Sequence, residues 1–266
     1  MSVALNAAAS AVQIAKIKLE VLANDVANKD TIAYKSHDVR TSDLSYTTLT
    51  KPMPAGDGGD TYSSQVQVGN GAKVVSTTRI LAQGVLKVTQ NPLDIMINGS
   101  GYFAIDLPNV GRAFTRDGSF ARSNSKLVTK AGASVLGQDD GPIEIKDEYD
   151  INTLTVSAAG DLTITDAAGA NVTLGKLALY HFDDEQALEA IGNNSFIENE
   201  ASGQATLIEE GAKGTTVRNK MLEASNVETV KVMMDLMEAQ NMYETAFRIM
   251  EVVNKIEHKA NEIVTV

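Results

Sequence analysis

Apolar residues recur every three or four positions at both ends of the chain. This spacing predicts a helix over residues 3–27 and a longer one over 226–263 that contains no Pro or Gly. The first stripe consists of Leu5, Ala8, Val12, Ala15, Leu19, Leu22 and Val26. The second consists of Val232, Leu236, Ala239, Tyr243, Ala246, Met250 and Val253. Stripes of this kind are typical of helices that pack along their length, so we expect the two chain ends to meet.

The second helix carries two further signals. Ser225, with Glu228 three residues later, fits a capping box, which predicts that the helix begins here. Within the helix, Met233, Met234, Leu236 and Met237 spread over an arc of about 160° at 100° per residue. A single helix–helix contact needs a narrower stripe. We therefore expect more than one helical neighbour, hence a polymer, with both stripes exposed in an isolated chain.

Between about 65 and 182 the apolar period changes to two, which predicts short strands. Branched residues alternate from Leu93 to Ile97, and Asn98-Gly99 follows as a turn signal. Further turn signals lie at 117–118, 141–142, 159–160 and 168–169. The pattern favours an all-β module, either a sandwich or barrel-like. After it, 183–192 resembles a short helix with an acidic first turn and a Gly stop, and 193–216 a polar connector.

We therefore predict an α+β protein in which a central all-β domain of short antiparallel strands is flanked by long terminal helices that form a coiled coil in a polymer. The predicted segments are an N-terminal helix at 1–35, a linker or extended segment at 36–64, a β-rich outer domain at 65–216 and a C-terminal helix at 217–266. The linker includes the Pro- and Gly-rich stretch 51–64.

Composition excludes several classes of function. With 23 Lys and Arg against 34 Asp and Glu, the net charge of −11 argues against nucleic acid or an anionic membrane as a partner. The absence of Cys excludes disulfide and thiolate chemistry. No apolar run is long enough for a transmembrane helix. The N-terminus lacks the basic start of a cleaved signal peptide, and Lys16, Lys18 and Glu20 interrupt its apolar stretch.

Signals for catalysis or cofactor binding are weak, and we predict no enzyme, cofactor or metal site. Residues 99–104 fit the G-x-G-x-x-A dinucleotide pattern, but the following residues cannot begin the helix that would hold a pyrophosphate, so a tight β-hairpin is the better interpretation. The carboxylates of Asp57 and Asp60 do not match a calcium loop. The three histidines, His37, His181 and His258, lie in separate segments and are interpreted as isolated polar residues.

Several motifs resemble those of bacterial flagellar rod and hook proteins, the axial protein family. They read ANDVANKDTIAYK at 23–35, QGVLKVT at 83–89, NPLDIMINGSGYF at 91–103, FTRDGSF at 114–120, LVT at 127–129 and MLEASNV at 221–227. The residues that match the family pattern are Asn24, Asn28, Thr31, Tyr34, Lys35, Asn91, Leu93, Asp94, Gly99, Gly101, Phe103, Arg116, Asp117, Gly118, Leu222, Glu223, Ser225, Asn226 and Val227.

Within that family the stretches 42–46, 67–71 and 201–203 are most similar to distal rod proteins, while 182–188 also resembles proximal rod proteins. The chain departs from the family pattern at three positions. Asp25 stands in place of Asn, Ala33 in place of Gly, and Asn241 in place of Arg. Ala33 predicts a turn that does not need a positive φ.

The resemblance implies a structural subunit that polymerises into the rod, the periplasmic drive shaft that carries torque to the hook. It implies as partners further copies of the chain, neighbouring rod and hook proteins, the flagellar type III export apparatus and the surrounding ring proteins. Export by that route would explain the missing signal peptide. In the family the terminal helices form the inner layer of the tube, where Ala7, Ala8, Ala9 and Ala11 would suit close helix approach.

The residues expected to form the assembly interface are Leu5, Val12, Leu19, Leu22, Val26, Val232, Leu236, Tyr243, Met250 and Val253. Two alternatives stay open. One is a proximal rod or hook subunit of the same family. The other, from a different class, is a soluble β-domain that binds a carbohydrate or another small ligand and is dimerised by its terminal helices.

Overall fold

The computed structural model describes residues 3–50, 66–108, 110–166, 169–208 and 214–264. The protein is α+β, as predicted, with two long helices and short strands that pair antiparallel. It divides into two compact units. Unit 1 comprises Met1–Ala27, His37–Arg79 and Glu228–Val266, and unit 2 comprises Asn28–Ser36 and Ile80–Val227.

Unit 1 is built on helices α1 (Val3–Ala27) and α2 (Thr229–Val264), which pack against each other. The prediction that the chain ends meet is thus confirmed. Along α2 the buried residues are Val232, Ala239 and Ala246, spaced by seven, and α1 is the element that covers them. The expectation that the stripes are exposed in a single chain is therefore wrong, because each helix covers the stripe of the other.

A two-stranded ribbon completes unit 1. Strand β1 (His37–Asp43) pairs with β4 (Ala72–Arg79), and β2 (Tyr46–Thr50) pairs with β3 (Val66–Gly69). The described part of the predicted linker is thus strand, while 51–64, with Asp57 and Asp60, lies outside the described residues.

The ribbon packs closely on α1. A Cβ added to Gly71 would lie 2.2 Å from Ser10 Oγ and 3.0 Å from Ala7 Cα, and the N–H of Ala72 donates to Ser10 Oγ at 3.2 Å. The small residues of α1 therefore admit a strand as well as a helix.

Helix α2 begins at Thr229, three residues later than predicted. The Ser225 hydroxyl accepts a hydrogen bond from the N–H of Val227, at 3.3 Å, and so stabilises a turn that precedes the helix. The capping-box prediction is wrong because residues 221–226 are already held in unit 2 by strand pairing and side-chain hydrogen bonds.

Unit 2 holds the remaining strands: β5 (Leu86–Val88), β6 (Ile95–Asn98), β7 (Tyr102–Leu107), β8 (Gly111–Thr115), β9 (Phe120–Ser123), β10 (Lys126–Thr129), β11 (Ser134–Val135), β12 (Thr155–Val156), β13 (Asp161–Thr165), β14 (Asn171–Lys176), β15 (Leu179–His181), β16 (Glu189–Gly192), β17 (Ser195–Ile197), β18 (Thr206–Leu207), β19 (Thr216–Asn219) and β20 (Met221–Glu223). The largest sheet runs β16-β17-β8-β7-β11-β10-β9, with β15 paired to β7 and β18 to β15. Strands β12-β13-β14 form a second sheet, and β19-β6 and β20-β5 form two-stranded pairs.

The core of unit 2 lies on both faces of β7. Phe103 and Ile105 belong to one apolar cluster, whereas Tyr102 and Ala104 belong to another. Because neighbouring residues of a strand point to opposite faces, β7 is a central, fully covered strand. In the second cluster the rings of Phe114 and Phe182 meet edge to face, with centroids 4.9 Å apart.

Two local predictions for unit 2 are wrong. Residues 183–192 form a 3₁₀ turn at Glu185–Ala187 and then strand β16, because buried Leu188 fixes the chain where it pairs with β17. Asn98-Gly99 does not close a hairpin. Strand β6 pairs with β19, whereas β7 pairs with β8, β11 and β15, and Gly99 and Gly101, with φ of 111° and 141°, redirect the chain between the sheets. Strands β17 and β18 lie within the predicted connector, and the predicted boundary at 217 falls inside β19.

Candidate functional site: an exposed helix face and a buried ion cluster

Helix α2 carries a second apolar face. Met233, Met234 and Met237 are each more than half exposed, at 54%, 54% and 55%. The other exposed large apolar residues of the helix are Val230, Tyr243, Phe247, Ile249, Val252 and Ile256. On a helix, Val230, Met234 and Met237 lie roughly 140° to 200° around the axis from the buried Val232. We call the surface formed by the exposed residues Val230, Met233, Met234, Met237, Ile249, Val252 and Ile256 the outer face of α2.

Helix α1 differs from α2 in this respect, since it exposes no large apolar side chain among its described residues. The ribbon covers part of its remaining surface, and the residues that stay exposed are polar or alanine. Among the described residues of the two helices, the outer face of α2 is therefore the large apolar surface that stays open to an additional partner.

The residues predicted for the assembly interface lie on the stripes covered within the helix pair. Val232 is buried and Tyr243 is 38% exposed. The rest are half-buried: Leu5, Val12, Leu19, Leu22, Val26, Leu236, Met250 and Val253. A role for these residues between subunits remains a prediction.

Unit 2 contains a buried ion cluster made of Lys35, Arg116 and Glu223. Glu223 is 2% exposed; its Oε1 lies 2.5 Å from Lys35 Nζ and its Oε2 lies 2.7 Å from Arg116 Nε. The N–H of Gly84 also donates to Glu223 Oε1, at 2.9 Å. The cations donate to main-chain carbonyls as well, Lys35 to Ala82, and Arg116 to Gly99 and Gly101. The carboxylate is thus fully hydrogen-bonded, as a buried charge requires.

Electrostatics favour the ionised form of Glu223. Burial alone raises the pKa of this carboxyl, but the neighbouring Arg116 and Lys35 cations outweigh burial, so the pKa lies below its ordinary value. Burial, with Arg116 nearby, lowers the pKa of Lys35 despite the attraction of Glu223. Two cations share one anion, and removal of Glu223 would leave both without a counter-charge.

Hydrogen bonds around the cluster join the segment that follows α1 to the segment that precedes α2. The N–H of Ala33 donates to the Glu223 carbonyl at 2.8 Å, and the N–H of Ser36 donates to Asn226 Oδ1 at 2.7 Å. Asn226 Nδ2 in turn donates to the Ile80 carbonyl at 2.7 Å. Ala33 has a φ of 57° and is 3% exposed, so the prediction that its turn avoids a positive φ is wrong. The carbonyl of Glu223 fixes the Ala33 amide, and the backbone takes the conformation this contact demands.

Two glycines permit close approach of main chains in unit 2. A Cβ on Gly118 would lie 1.5 Å from the Ile95 carbonyl oxygen, and one on Gly84 would lie 1.9 Å from the Ala224 carbonyl oxygen. Neither position leaves room for a side chain. These glycines hold 114–120 against β6 and 83–89 against the end of β20.

The remaining family-pattern residues shape turns or fill the core. Asn91 Nδ2 donates to Asp94 Oδ1 at 2.9 Å, in the turn before β6, and Asp117 Oδ1 accepts from the N–H of Ser119. Asn28 Oδ1 accepts from the Thr31 hydroxyl just after α1. Leu93, Phe103 and Leu222 are buried, as are Tyr34 and Ser225, whereas Asn24 is exposed on α1. Some residues of the family pattern, such as Lys35, Arg116 and Glu223, therefore form the ion cluster, whereas Asn24 lies on α1.

Sequence reasoning did not find the partners of two histidines. His37 Nδ1 lies 3.4 Å from Oδ1 of Asp25, a carboxylate that is 1% exposed, and His181 Nδ1 lies 3.5 Å from Glu185 Oε1. Only the position of His181 and Glu185, four residues apart, could have suggested a pair.

Among the described residues no three His, Asp or Glu side chains converge on a metal position. Residues 102–107 of the dinucleotide-like stretch form strand β7, so no helix follows the glycines, as predicted.

The part of the chain that the structure describes has no helix both long and apolar enough to cross a membrane.

The known proteins to which this chain is similar belong to the flagellar rod and hook proteins. The family models for the flagellar hook protein FlgE/F/G D1 domain and the flagellar basal body rod FlgEFG protein C-terminal match residues 96–164 and 218–263. The flagellar basal-body rod protein FlgG of Caulobacter vibrioides is 34% identical over 95% of this chain and 96% of its own length. FlgG of Borreliella burgdorferi is 33% identical over 91% of each chain. FlgF of Caulobacter vibrioides is 28% identical over 92% of this chain and 91% of its own length. Together with the matched motifs, these similarities show that the chain belongs to the family of flagellar basal-body rod proteins.

Proposed function

We propose that this protein is the FlgG-type subunit of the flagellar rod, a structural protein that polymerises into the distal part of the shaft. Identity to FlgG exceeds identity to FlgF when both relatives come from the same bacterium, 34% against 28%, over nearly the whole chain in each case. A proximal rod or hook subunit remains the alternative within the family. The role that we propose is structural, and we propose no enzymatic activity.

The outer face of α2 is the observation that carries the proposal. Full burial of a Met side chain contributes about 1.5–3 kcal/mol, so an exposed row of Met, Ile and Val favours association. α1 already covers one side of α2, and the outer face lies on the other side. A second helix pair can therefore dock there, and repetition of that contact builds a coiled-coil layer.

In this proposal helices α1 and α2 form the inner layer of the tube and the β-rich unit 2 forms the outer domain. The stripe residues of both helices, including Leu22 and Met250, keep each helix pair intact within that layer. The partners are further copies of the chain, other rod and hook proteins, the export apparatus that delivers the subunit and the rings around the shaft. The protein acts in the flagellar basal body.

The test compares two charge insertions on α2. Met237→Glu places a carboxylate in the outer face, whereas Gln240→Glu places the same group at an exposed position that is already polar. A loss of about 3 kcal/mol per contact raises the concentration needed for polymer by more than 100-fold. We expect Met237→Glu to abolish rods in electron micrographs and motility in cells, with little change in helical circular dichroism.

Gln240→Glu should assemble like the parent chain. If Met237→Glu polymerises normally, or if the unmodified chain forms no helical assembly and is absent from basal bodies, the proposal is wrong. A dimer that does not grow with concentration, together with a ligand-dependent shift in melting temperature, would favour the ligand-binding alternative.

A further inference from the structure

Strand β5 of unit 2 has an open edge and exposed apolar residues. It pairs only with β20 among the described strands. All three of its residues are exposed, with Val88 at 69% and Leu86 at 37%, and the preceding Val85 is 76% exposed. An extended strand with one unpaired edge and apolar side chains is a template for pairing with another chain.

The same edge carries unpaired positive charge. Lys87 lies between Leu86 and Val88, and Lys220 lies beside the end of the strand, where its carbonyl accepts from the N–H of Thr89 at 2.8 Å. Neither lysine has an ion pair within the described residues. A lysine in an edge strand disfavours pairing with an apolar or basic edge. The lysine therefore favours an acidic edge as the partner, and a chain of net charge −11 offers such edges.

Strand β16 of unit 2 is a complementary edge. It is the outermost strand of the large sheet, paired only with β17 among the described strands, and all four of its residues are exposed. Glu189 begins the strand and forms no ion pair within the described residues. Ile191, two positions later, is 39% exposed and lies at a β-bulge, where the register with β17 shifts between Ala190 and Gly192. Strand β16 thus exposes an acidic and an apolar side chain, whereas β5 exposes a basic side chain and apolar ones.

We propose that β5 of one subunit pairs with β16 of a second copy of this chain, with Lys87 against Glu189 and with Val85, on the same face of its strand as Lys87, near Ile191. Main-chain hydrogen bonds between the two edges supply affinity, and the opposite charges select the partner. Because the two surfaces differ, the contact is head to tail and can repeat without limit, as a polymer requires. The inference rests on the proposed function, since it assigns the contact between β-rich units of that polymer.

Charge exchange tests the pair. We expect Lys87→Glu and Glu189→Lys each to raise the concentration needed for polymer by about tenfold or more, and the double variant to restore most of that loss. Lys130→Glu, an exposed lysine outside both strands, is the control with the same change in net charge. If Lys87→Glu acts no differently from Lys130→Glu, or if the double variant is no better than the singles, the pairing is wrong.

The absence of cysteine allows a second, independent test. A mixture of Val85→Cys and Ile191→Cys chains should form a disulfide-linked heterodimer on oxidation, while each variant alone should form much less. If the parent chain polymerises but neither charge reversal nor cross-linking responds, this pairing fails and the proposed function stands. If the cross-link forms but no polymer does, the pairing stands and the proposed function fails. If neither forms, both fail.

Discussion

The ammonium of Lys35 lies 2.5 Å from the carboxylate of Glu223, although 188 positions separate them in the sequence. Lys35 lies at the end of the segment that follows α1, and Glu223 ends the strand that precedes α2. The pair therefore ties the chain leaving one long helix to the chain entering the other, within unit 2. Arg116 binds the other oxygen of Glu223 and also donates to the carbonyl of Gly101, so it connects the turn after β6 to the same carboxylate.

Replacement of Glu223 should destabilise unit 2 strongly. Glu223→Gln keeps the shape of the side chain but leaves two buried cations without an anion, which costs about 3–5 kcal/mol. Hydrogen exchange followed by mass spectrometry should show faster exchange in β5, β20 and the Ala33 turn. Glu144→Gln, at an exposed position of the same unit, is the control and should change little. Equal stability of the two variants would contradict a role for the cluster.

The stability of unit 2 should fall in acid. The pKa of Glu223 is depressed in the folded chain, so between that pKa and the ordinary value of about 4.3 the unfolded chain binds more protons. The stabilisation is therefore fully present above about pH 5 and is lost as pH falls through the depressed pKa. Urea titrations at a series of pH values from 7 to 2 should show this loss. In Glu223→Gln the part of the acid-induced loss of stability that is due to Glu223 should be missing. If the variant loses stability with falling pH as steeply as the parent chain, the acid sensitivity belongs to other carboxyls.

The left-handed conformation of Ala33 predicts an unequal response to substitution. Ala33→Gly removes about 1 kcal/mol of backbone strain but also a buried methyl group, so we expect a net change within about 1 kcal/mol. Ala33→Val adds a β-branched side chain at a positive φ in a buried position and should cost at least about 2 kcal/mol. Thermal unfolding of the two variants measures the difference. If valine is tolerated as well as glycine, the backbone there is not left-handed.

Gly118 should be intolerant of alanine for a purely steric reason. Its Cβ would lie 1.5 Å from the Ile95 carbonyl oxygen, which is fixed by its main-chain surroundings. We expect Gly118→Ala to cost more than about 3 kcal/mol or to prevent folding of unit 2. Gly141→Ala is the matched control, because a Cβ there meets nothing within 4 Å. The measurement is the urea midpoint of each variant, and similar midpoints would show that β6 is not packed against Gly118.

Local repetition in the sequence determined the two long helices, the stripe by which each packs, the second apolar face of α2 and the short strands of the central region. These features could be predicted because a period of 3.6 or 2 in apolar residues sets which face of an element can be buried, whatever the rest of the chain does. The motifs around Lys35, Arg116 and Glu223 also marked positions that belong together, although they showed no contacts.

Only the tertiary structure decided what those residues touch. Residues 189–192 look helical by themselves but form a strand, because β17 offers hydrogen bonds that a free helix end lacks. Ala33 accepts a positive φ because the Glu223 carbonyl fixes its amide. The stripes of α1 and α2 are partly covered within one chain because the folded chain brings its two ends together. The physical reason is common to all three: contacts between distant segments outweigh local preferences of about 1 kcal/mol, and such contacts exist only after the chain has folded.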